Sequence, residues 1–337
     1  MLTARFAAQL LSGAPATSPV GVVRRLLAVQ AQDPRGARLA IRVRSAGLTA
    51  ADVDNALTAD RSLLITWLNR GTLHLVCSED YWWLHALTAP RMAATSARRL
   101  AQEGVLPSAA DTAVAVIAAA VTADGPLTRA QLRERLASAG VRTEGQALVH
   151  LLLLASQRAG LVRGPMIGSE HAFVLARDWI ERPPAPVDRD AALAELGRRY
   201  LAGHGPATDR DLAKWSGLPL RDARRGLAAI VTELSDRDDG GLPPPRLLGA
   251  FDPLLLGWAS REPVVGAHQG IVTTNGVFRP FALVSGVAAA TWTLSGGTIT
   301  LKPLVPIAPA DESALLADAA DVRRFLAGPD GSIPAQQ

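Results

Sequence analysis

The chain has a single cysteine, Cys77, in 337 residues. That excludes a disulfide framework and any cysteine-rich zinc site. Lysine is nearly absent too. Lys214 and Lys302 are the two lysines among 35 basic residues, so the positive charge here is arginine charge. Aromatic residues make up only 4% of the chain, and seven of them are Trp. Long apolar runs are missing. The longest, 113–121 and 151–155, fall far short of the ~20 residues of a membrane span. Residues 1–13 carry Arg5 and Gln9 and no continuous apolar core, so nothing there reads as an export signal. The default expectation is a soluble cytoplasmic protein, without a membrane partner. There is no glycine-rich nucleotide loop, no metal-ligand cluster and no Ser-His-Asp elbow, so neither a cofactor nor a metal is expected.

What is present suits a globular chain. Apolar residues are 48% and charged residues 20%, enough for a sizeable core, and the length suggests about two or three domains. The net charge of +4 is unevenly spread. Residues 1–103 hold 12 Arg against 7 acids, net +5, while 104–182 are net +1 and 183–245 and 246–337 are net −1 each. Arginine's planar fork grips phosphates and base edges in two places at once. An excess of this size permits nucleic-acid binding without demanding it.

A repeat runs along the chain. Gly125-Pro-Leu-Thr128 precedes a helical pattern, and Gly205-Pro-Ala-Thr208 does so again further on. A weaker copy, Gly47-Leu-Thr49, precedes both, so that Thr49, Thr128 and Thr208 are almost evenly spaced. Each Thr can cap a helix, with Gln131, Asp211 and Asp52 placed in the following turn to reach back. Near-equal spacing argues for one supersecondary unit used three times. The second copy reads as helices over 111–122, 128–138 and 143–158, then two strands joined by a turn between 161 and 175. That order is a winged helix. The third copy offers helices over 190–202, 208–216 and 220–234. The first copy has an amphipathic helix over 19–32 and a sharp hairpin, 63–68 and 72–76, around Asn69-Arg-Gly71. After Pro243-Pro-Pro245 the texture changes to short strand-like runs at 264–265, 270–273, 281–284, 288–294 and 298–301. These predict a small antiparallel sheet or barrel. A last helix is expected over 311–326.

Three stretches carry a family resemblance: Thr66-Trp-Leu-Asn-Arg-Gly-Thr-Leu-His74, Leu248-Gly-Ala-Phe-Asp-Pro-Leu-Leu-Leu-Gly257, and Gly276-Val-Phe-Arg-Pro-Phe-Ala-Leu-Val284 with Thr291-Trp292. In family order, they resemble the winged-helix DNA glycosylases, whose better-known member types are AlkZ and YcaQ. The resemblance implies an α+β fold of three tandem winged helices followed by a small C-terminal antiparallel β-barrel. Winged-helix units are then expected at 1–103, 104–182 and 183–245, the barrel at 246–310, and a terminal helix and tail at 311–337. It also implies a monofunctional DNA glycosylase that acts as a monomer in the cytoplasm, on the nucleoid. The expected partner is double-stranded DNA carrying cationic N7-alkylpurine lesions, such as bulky adducts or crosslinks from a genotoxic natural product. One departure is Ser285-Gly-Val-Ala-Ala-Ala-Thr-Trp292, where family members often carry an Asp-Gly turn and Gly before Thr-Trp.

The family's catalytic signature is Gln, an apolar residue, then Gln or Asp. Gln30-Ala31-Gln32 matches it in the AlkZ form. On a helix two such positions diverge by about 200°, but Pro34 biases Asp33 away from helical geometry. The pair is therefore expected where the helix unwinds, with extended spacing putting both amides on one side. Without the family match, two solvated polar residues at a helix end would be the plainer reading. Asp33 is the second candidate for base or nucleophile, or else a turn former with Pro34. His74 is a catalyst or, more commonly for a strand His, a packed residue. Trp67, Trp82 and Trp83 could wedge into DNA or pack in the core. Arg35, Arg38, Arg42 and Arg44 follow the pair. The last three would share a face of an extended chain and could grip phosphates, or line a solvated strand edge. Arg70 at the hairpin tip and Arg279 are further DNA-contact candidates. A regulator that only binds DNA, or a repair enzyme for small N7-methyl lesions, is the alternative function.

Overall fold

The computed structural model describes residues 1–182, 185–233, 240–266, 270–273, 275–328 and 331–333. The fold mixes helices with antiparallel sheet and divides into two compact units. One is Asp54–Ala192; the other joins Met1–Val53 to Leu193–Gln337. The discontinuous unit opens with α1 (Leu2–Ala8), α2 (Pro19–Leu26) and α3 (Pro34–Arg42). The continuous unit holds β1 (Leu63–Leu68), β2 (Thr72–Cys77), α4 (Tyr81–Gln102), α5 (Pro107–Asp124), α6 (Arg129–Ser138), α7 (Ala147–Ala159), β3 (Leu161–Ile167) and β4 (Glu170–Leu175). The discontinuous unit resumes within α8 (Arg189–His204). It continues through α9 (Asp209–Ser216), α10 (Leu220–Ala228), β5 (Arg246–Leu248), α11 (Pro253–Leu256), β6 (Phe281–Val284), β7 (Val287–Ser295), β8 (Thr298–Pro303) and α12 (Pro309–Leu326). No single described helix is long and apolar enough to cross a membrane.

The three helix starts read from the sequence are all capped. Thr128 and Gln131 close a reciprocal capping box at α6, and Thr208 and Asp211 close another at α9. Asp52 accepts from the Thr49 amide at 2.7 Å, in the same manner. Each arrangement satisfies amides that the first helical turn leaves open.

In the continuous unit the strands run β2-β1-β3-β4, every pair antiparallel. The β1–β2 turn uses Asn69 at φ 56° and Gly71 at φ 84°, the residue types that tolerate left-handed backbone. α7 starts at Ala147 rather than at 143, since Gly145 takes φ 58° just before it. Its Leu148 and Leu151–Ala155 are buried, so this third helix is core.

In the discontinuous unit, α10 ends at Ala228 and a 3-10 turn covers Val231–Glu233; residue 234, expected at the end of that helix, lies outside the described residues. Residues 262–265 form a short helix where a strand was expected. The sheet order is β5-β6-β7-β8. This corrects the expected barrel: the sheet is open, and among the described residues its first and last strands do not pair. The reason lies at Leu247 on the edge strand β5. Its amide donates to Asp318 Oδ2 at 2.7 Å and its carbonyl accepts from Arg42 Nη2 at 3.1 Å. Side chains of α12 and α3 thus occupy the groups that a closing strand would need.

The arginines of 38–44 do not lie on an extended chain. Arg38 and Arg42 belong to α3, and Arg44 follows it. Arg42 forms a 2.8 Å ion pair with Asp318, both side chains buried. Arg44, fully buried, is held bidentately by Asp252 at 2.7 and 2.9 Å and donates to Gln9 at 2.8 Å. Gly36 and Gly249 let the backbones meet: a Cβ on Gly36 would lie 2.3 Å from the Ala250 carbonyl. α3 is therefore anchored at both ends. Asp252→Ala would strand a buried guanidinium, a change that costs about 3–5 kcal/mol. Urea unfolding should show that loss. A loss below about 1 kcal/mol, the scale of an exposed pair, would mean that this one is not the anchor.

Candidate active site

The segment before α3 is shaped by two local events. Ser18 accepts from the Gly21 amide at 3.1 Å and starts α2, with Pro19 in the first turn. The helix stops at Leu26, well before 32, because Leu27 adopts φ 65°. A non-glycine residue in so sparsely populated a backbone conformation costs roughly 1–3 kcal/mol, and such strain is held only where the surroundings over-determine it. Val29 and Gln30 are then extended. Next, Asp33 accepts from the Gly36 amide at 2.5 Å and Pro34 opens α3. Gln30, Ala31 and Gln32 thus form a short non-helical link between two capped helices.

In that link the two carboxamides meet. Gln30 Nε2 donates to Gln32 Oε1 at 2.5 Å. Gln30 is 7% exposed and Gln32 is exposed. The buried amide therefore holds the exposed one by its carbonyl, which keeps a second lone pair. Neither group titrates near neutral pH. The arrangement can place a hydrogen-bonding solvent molecule and offer partial negative charge, but it cannot take up a proton. Asp33 is the helix cap, the role its turn-forming alternative described.

The remaining candidates fall into two sets. In the discontinuous unit Arg35 is half-buried and lines a cleft of ~790 Å³ with the β7–β8 turn, Gly296-Gly297, and with Arg323 and Arg324 at the end of α12. Burial holds the Arg35 guanidinium below its usual pKa, with Asp33 acting in the opposite direction. Arg38 Nη1 donates to the Pro34 carbonyl at 3.0 Å, and exposed Arg279 donates to that of Gly270 at 3.2 Å. Arg42 and Arg44 are withdrawn from any phosphate by their buried ion pairs, which corrects their expected role as a DNA-gripping row. Arg323 and Arg324 are absent from the candidates that the sequence offers. They lie near the opposite end of the chain from Arg35, and no local signal ties them to it.

In the continuous unit His74 is buried. Its Nδ1 donates to the Thr72 carbonyl at 2.9 Å. Burial pushes its pKa down to about 4, helped by the Arg70 charge and opposed by that hydrogen bond. It is thus a neutral, packed imidazole near pH 7. Arg70 is exposed at the turn. Trp67 is buried, and the indoles of Trp82 and Trp83 donate to the Arg182 carbonyl at 3.0 Å and to Asp80 at 3.1 Å. These are packing and bonding roles. Cys77, Glu79 and Asp80 bring their potential ligand atoms within 4.8 Å of one another, but the Asp80 carboxylate is committed to Trp83.

Comparison with known proteins gives one consistent picture. The model of the family described as DNA glycosylase AlkZ-like matches residues 23–325. An interstrand DNA cross-link repair glycosylase of Streptomyces sahachiroi is 29% identical, with 92% of each chain covered. The solved structure of the Streptomyces sahachiroi DNA glycosylase AlkZ is similar in fold, with a TM-score of 0.75 and 24% identity over 96% of this chain and 95% of that one.

The depressed His74 pKa has a signed consequence. The folded state disfavours the imidazolium, so this contribution to stability is complete above pH 6.5 and is lost as pH falls toward 4. Between pH 7 and pH 5 the wild-type chain should lose about 2 kcal/mol more stability than His74→Gln, by linkage. Urea titrations of both proteins at the two pH values decide this. Equal losses would show that His74 is not held neutral.

Proposed function

The chain belongs to the AlkZ-like DNA glycosylase family, and from that premise we propose that Gln30 and Gln32 hydrolyse the N-glycosidic bond of cationic N7-alkylpurines in duplex DNA. The observation that carries this reading is the Gln30–Gln32 amide pair, held on a non-helical link with one member exposed. An N7-alkylguanine is already positive. When its C1′–N9 bond breaks, the bonding electrons stay with the base, which leaves neutral without being protonated. The sugar develops oxocarbenium character. The Gln32 carbonyl accepts from one water and directs its oxygen to C1′, and its dipole stabilises the growing positive charge. That water is consumed, and its proton is released to solvent. No general acid is needed, in keeping with a His74 that stays neutral.

Bulky adducts and interstrand crosslinks are the lesion class this mechanism suits, because the site asks for a cationic base and not for an enclosed pocket. The name of the Streptomyces sahachiroi relative supports the crosslink reading. The chain would act as a monomer on nucleoid DNA. Residues 1–103, 104–182 and 183–245 would be tandem winged helices; the helix, helix, helix, hairpin order of 107–175 supports this for the second. A winged-helix regulator reads DNA with its third helix, but α7 is core, which counts against a purely binding role. Arg35, which shares its cleft with Arg323, is the first candidate to hold a phosphate; Arg38, Arg70 and Arg279 are secondary candidates.

Duplexes carrying N7-methylguanine or a bulky N7 adduct, followed by alkali cleavage, test the proposal. Wild-type protein should generate abasic sites. The double variant Gln30→Ala, Gln32→Ala should be slower by about a hundredfold or more, with duplex affinity nearly unchanged. Uracil, a neutral leaving base, should not be released efficiently. Efficient uracil release would reveal acid catalysis and overturn the mechanism.

A further inference from the structure

Arg163 on β3 is a guanidinium without an anion. Among the described residues it has neither a hydrogen bond nor an ion pair, and its Nε is sealed from solvent with no partner. The residue as a whole stays partly exposed, so the outer edge of the fork can be reached. Two aromatic faces hold it in place. Its Cζ lies 5.3 Å from the centre of the Trp67 ring on β1 and 5.0 Å from that of Phe173 on β4. Strand pairing explains the placement, since Arg163 lies opposite both Ile65 and Phe173 in the sheet.

The surroundings are cationic. Leu127 exchanges two backbone hydrogen bonds with Phe173, at 3.2 and 2.8 Å. Just beyond it, exposed Arg129 opens α6. The Arg129 charge acts on Arg163 in the same direction as burial, and together they bring its pKa down to about 10. Arg163 therefore stays charged near neutral pH. A structural arginine in such a position normally faces a carboxylate, because desolvating a cation is costly and a partner offsets it. Ring faces recover part of that cost. Here, among the described residues, the one charge that acts on the guanidinium is a second cation, that of Arg129.

We infer that Arg163, clamped between Trp67 and Phe173 and flanked by Arg129, is a binding site for a phosphodiester of the DNA backbone. The inference rests on the DNA-glycosylase reading above and adds a contact in the continuous unit, away from the glutamine link in sequence and in unit. A guanidinium oriented by two rings has little freedom left to lose on meeting a phosphate. The contact carries no base information, so it positions the duplex without selecting sequence. Trp67 then acts as the wall that aims Arg163, and does not enter DNA.

The test is the salt dependence of binding to an undamaged duplex of about 20 base pairs, for wild type, Arg163→Met and Arg129→Ala. Each lost phosphate contact should lower the slope of log K against log salt by about 0.9. Arg163→Met should show that reduction, with weakening that is the same for unrelated sequences and with an unchanged or raised Tm. Arg129→Ala, at an exposed position, should lower the slope as well, and it decides the matter if Arg163→Met fails to fold. A merely structural Arg163 would instead lower Tm on replacement and leave the slope at the wild-type value in both variants; that result overturns the site. Wild-type excision of N7-methylguanine alongside unchanged slopes would reject this inference while leaving the glycosylase reading intact. Failure of the wild-type protein to bind duplex DNA would reject both.

Discussion

The buried Arg44–Asp252 pair is the constraint from which the discontinuous unit takes its form. Both side chains have no exposure, and the contact is bidentate. An ion pair this deep tolerates no loss of either partner, so it fixes the end of α3 against the turn before α11, where Asp252 also accepts from the Leu254 amide. At the other end of α3, Gly36 and Gly249 approach too closely for a side chain on either. Between these points Arg42 ties the helix to Asp318 of α12 and to the edge of β5. The same contacts explain why the C-terminal sheet stays open and why the helix that follows the glutamine link is fixed in place.

That rigidity matters because the chemistry assigned to the link is positional. Neutral carboxamides neither donate nor remove protons at working pH. They can only hold a water and a dipole in the right place, and a displacement of an ångström would cost much of the effect. The left-handed Leu27, the Asp33 cap and the Gln30–Gln32 hydrogen bond together leave the link between the helices with few conformations open to it. A substrate that brings its own positive charge makes such a minimal site sufficient.

The helix starts and the first two hairpins are legible in the sequence because capping boxes and Asn/Gly turns are local chemistry. The glutamine pair is legible by resemblance, and Pro34 marks the non-helical backbone at Asp33; the helix that Pro34 opens is not read from the sequence, which takes 38–44 as extended. What the sequence hides depends on distant partners. Arg42 and Arg44 read as a basic row because their acids, Asp318 and Asp252, stand far along the chain. The barrel follows from strand-like runs, while closure is prevented by side chains from α3 and α12 that no β pattern announces. Leu27, an ordinary helix former in sequence, is the residue that ends α2; tertiary context overrides propensity there. The motif Leu248–Gly257, recognised as a string, acquires physical content. Gly249 meets α3, Asp252 holds Arg44, and the Gly257 carbonyl accepts from the Tyr200 hydroxyl at 2.7 Å.

The central claim is that amides, and not the neighbouring carboxylate, direct the water. Asp33→Asn separates the two, since asparagine caps a helix as well as aspartate does and only the charge is lost. The measurement is the single-turnover excision rate of N7-methylguanine by this variant, near pH 7. An amide-directed site predicts a rate within about threefold of wild type. A fall of a hundredfold or more, about 2.7 kcal/mol of activation free energy, would place the reacting water on Asp33 and contradict the account.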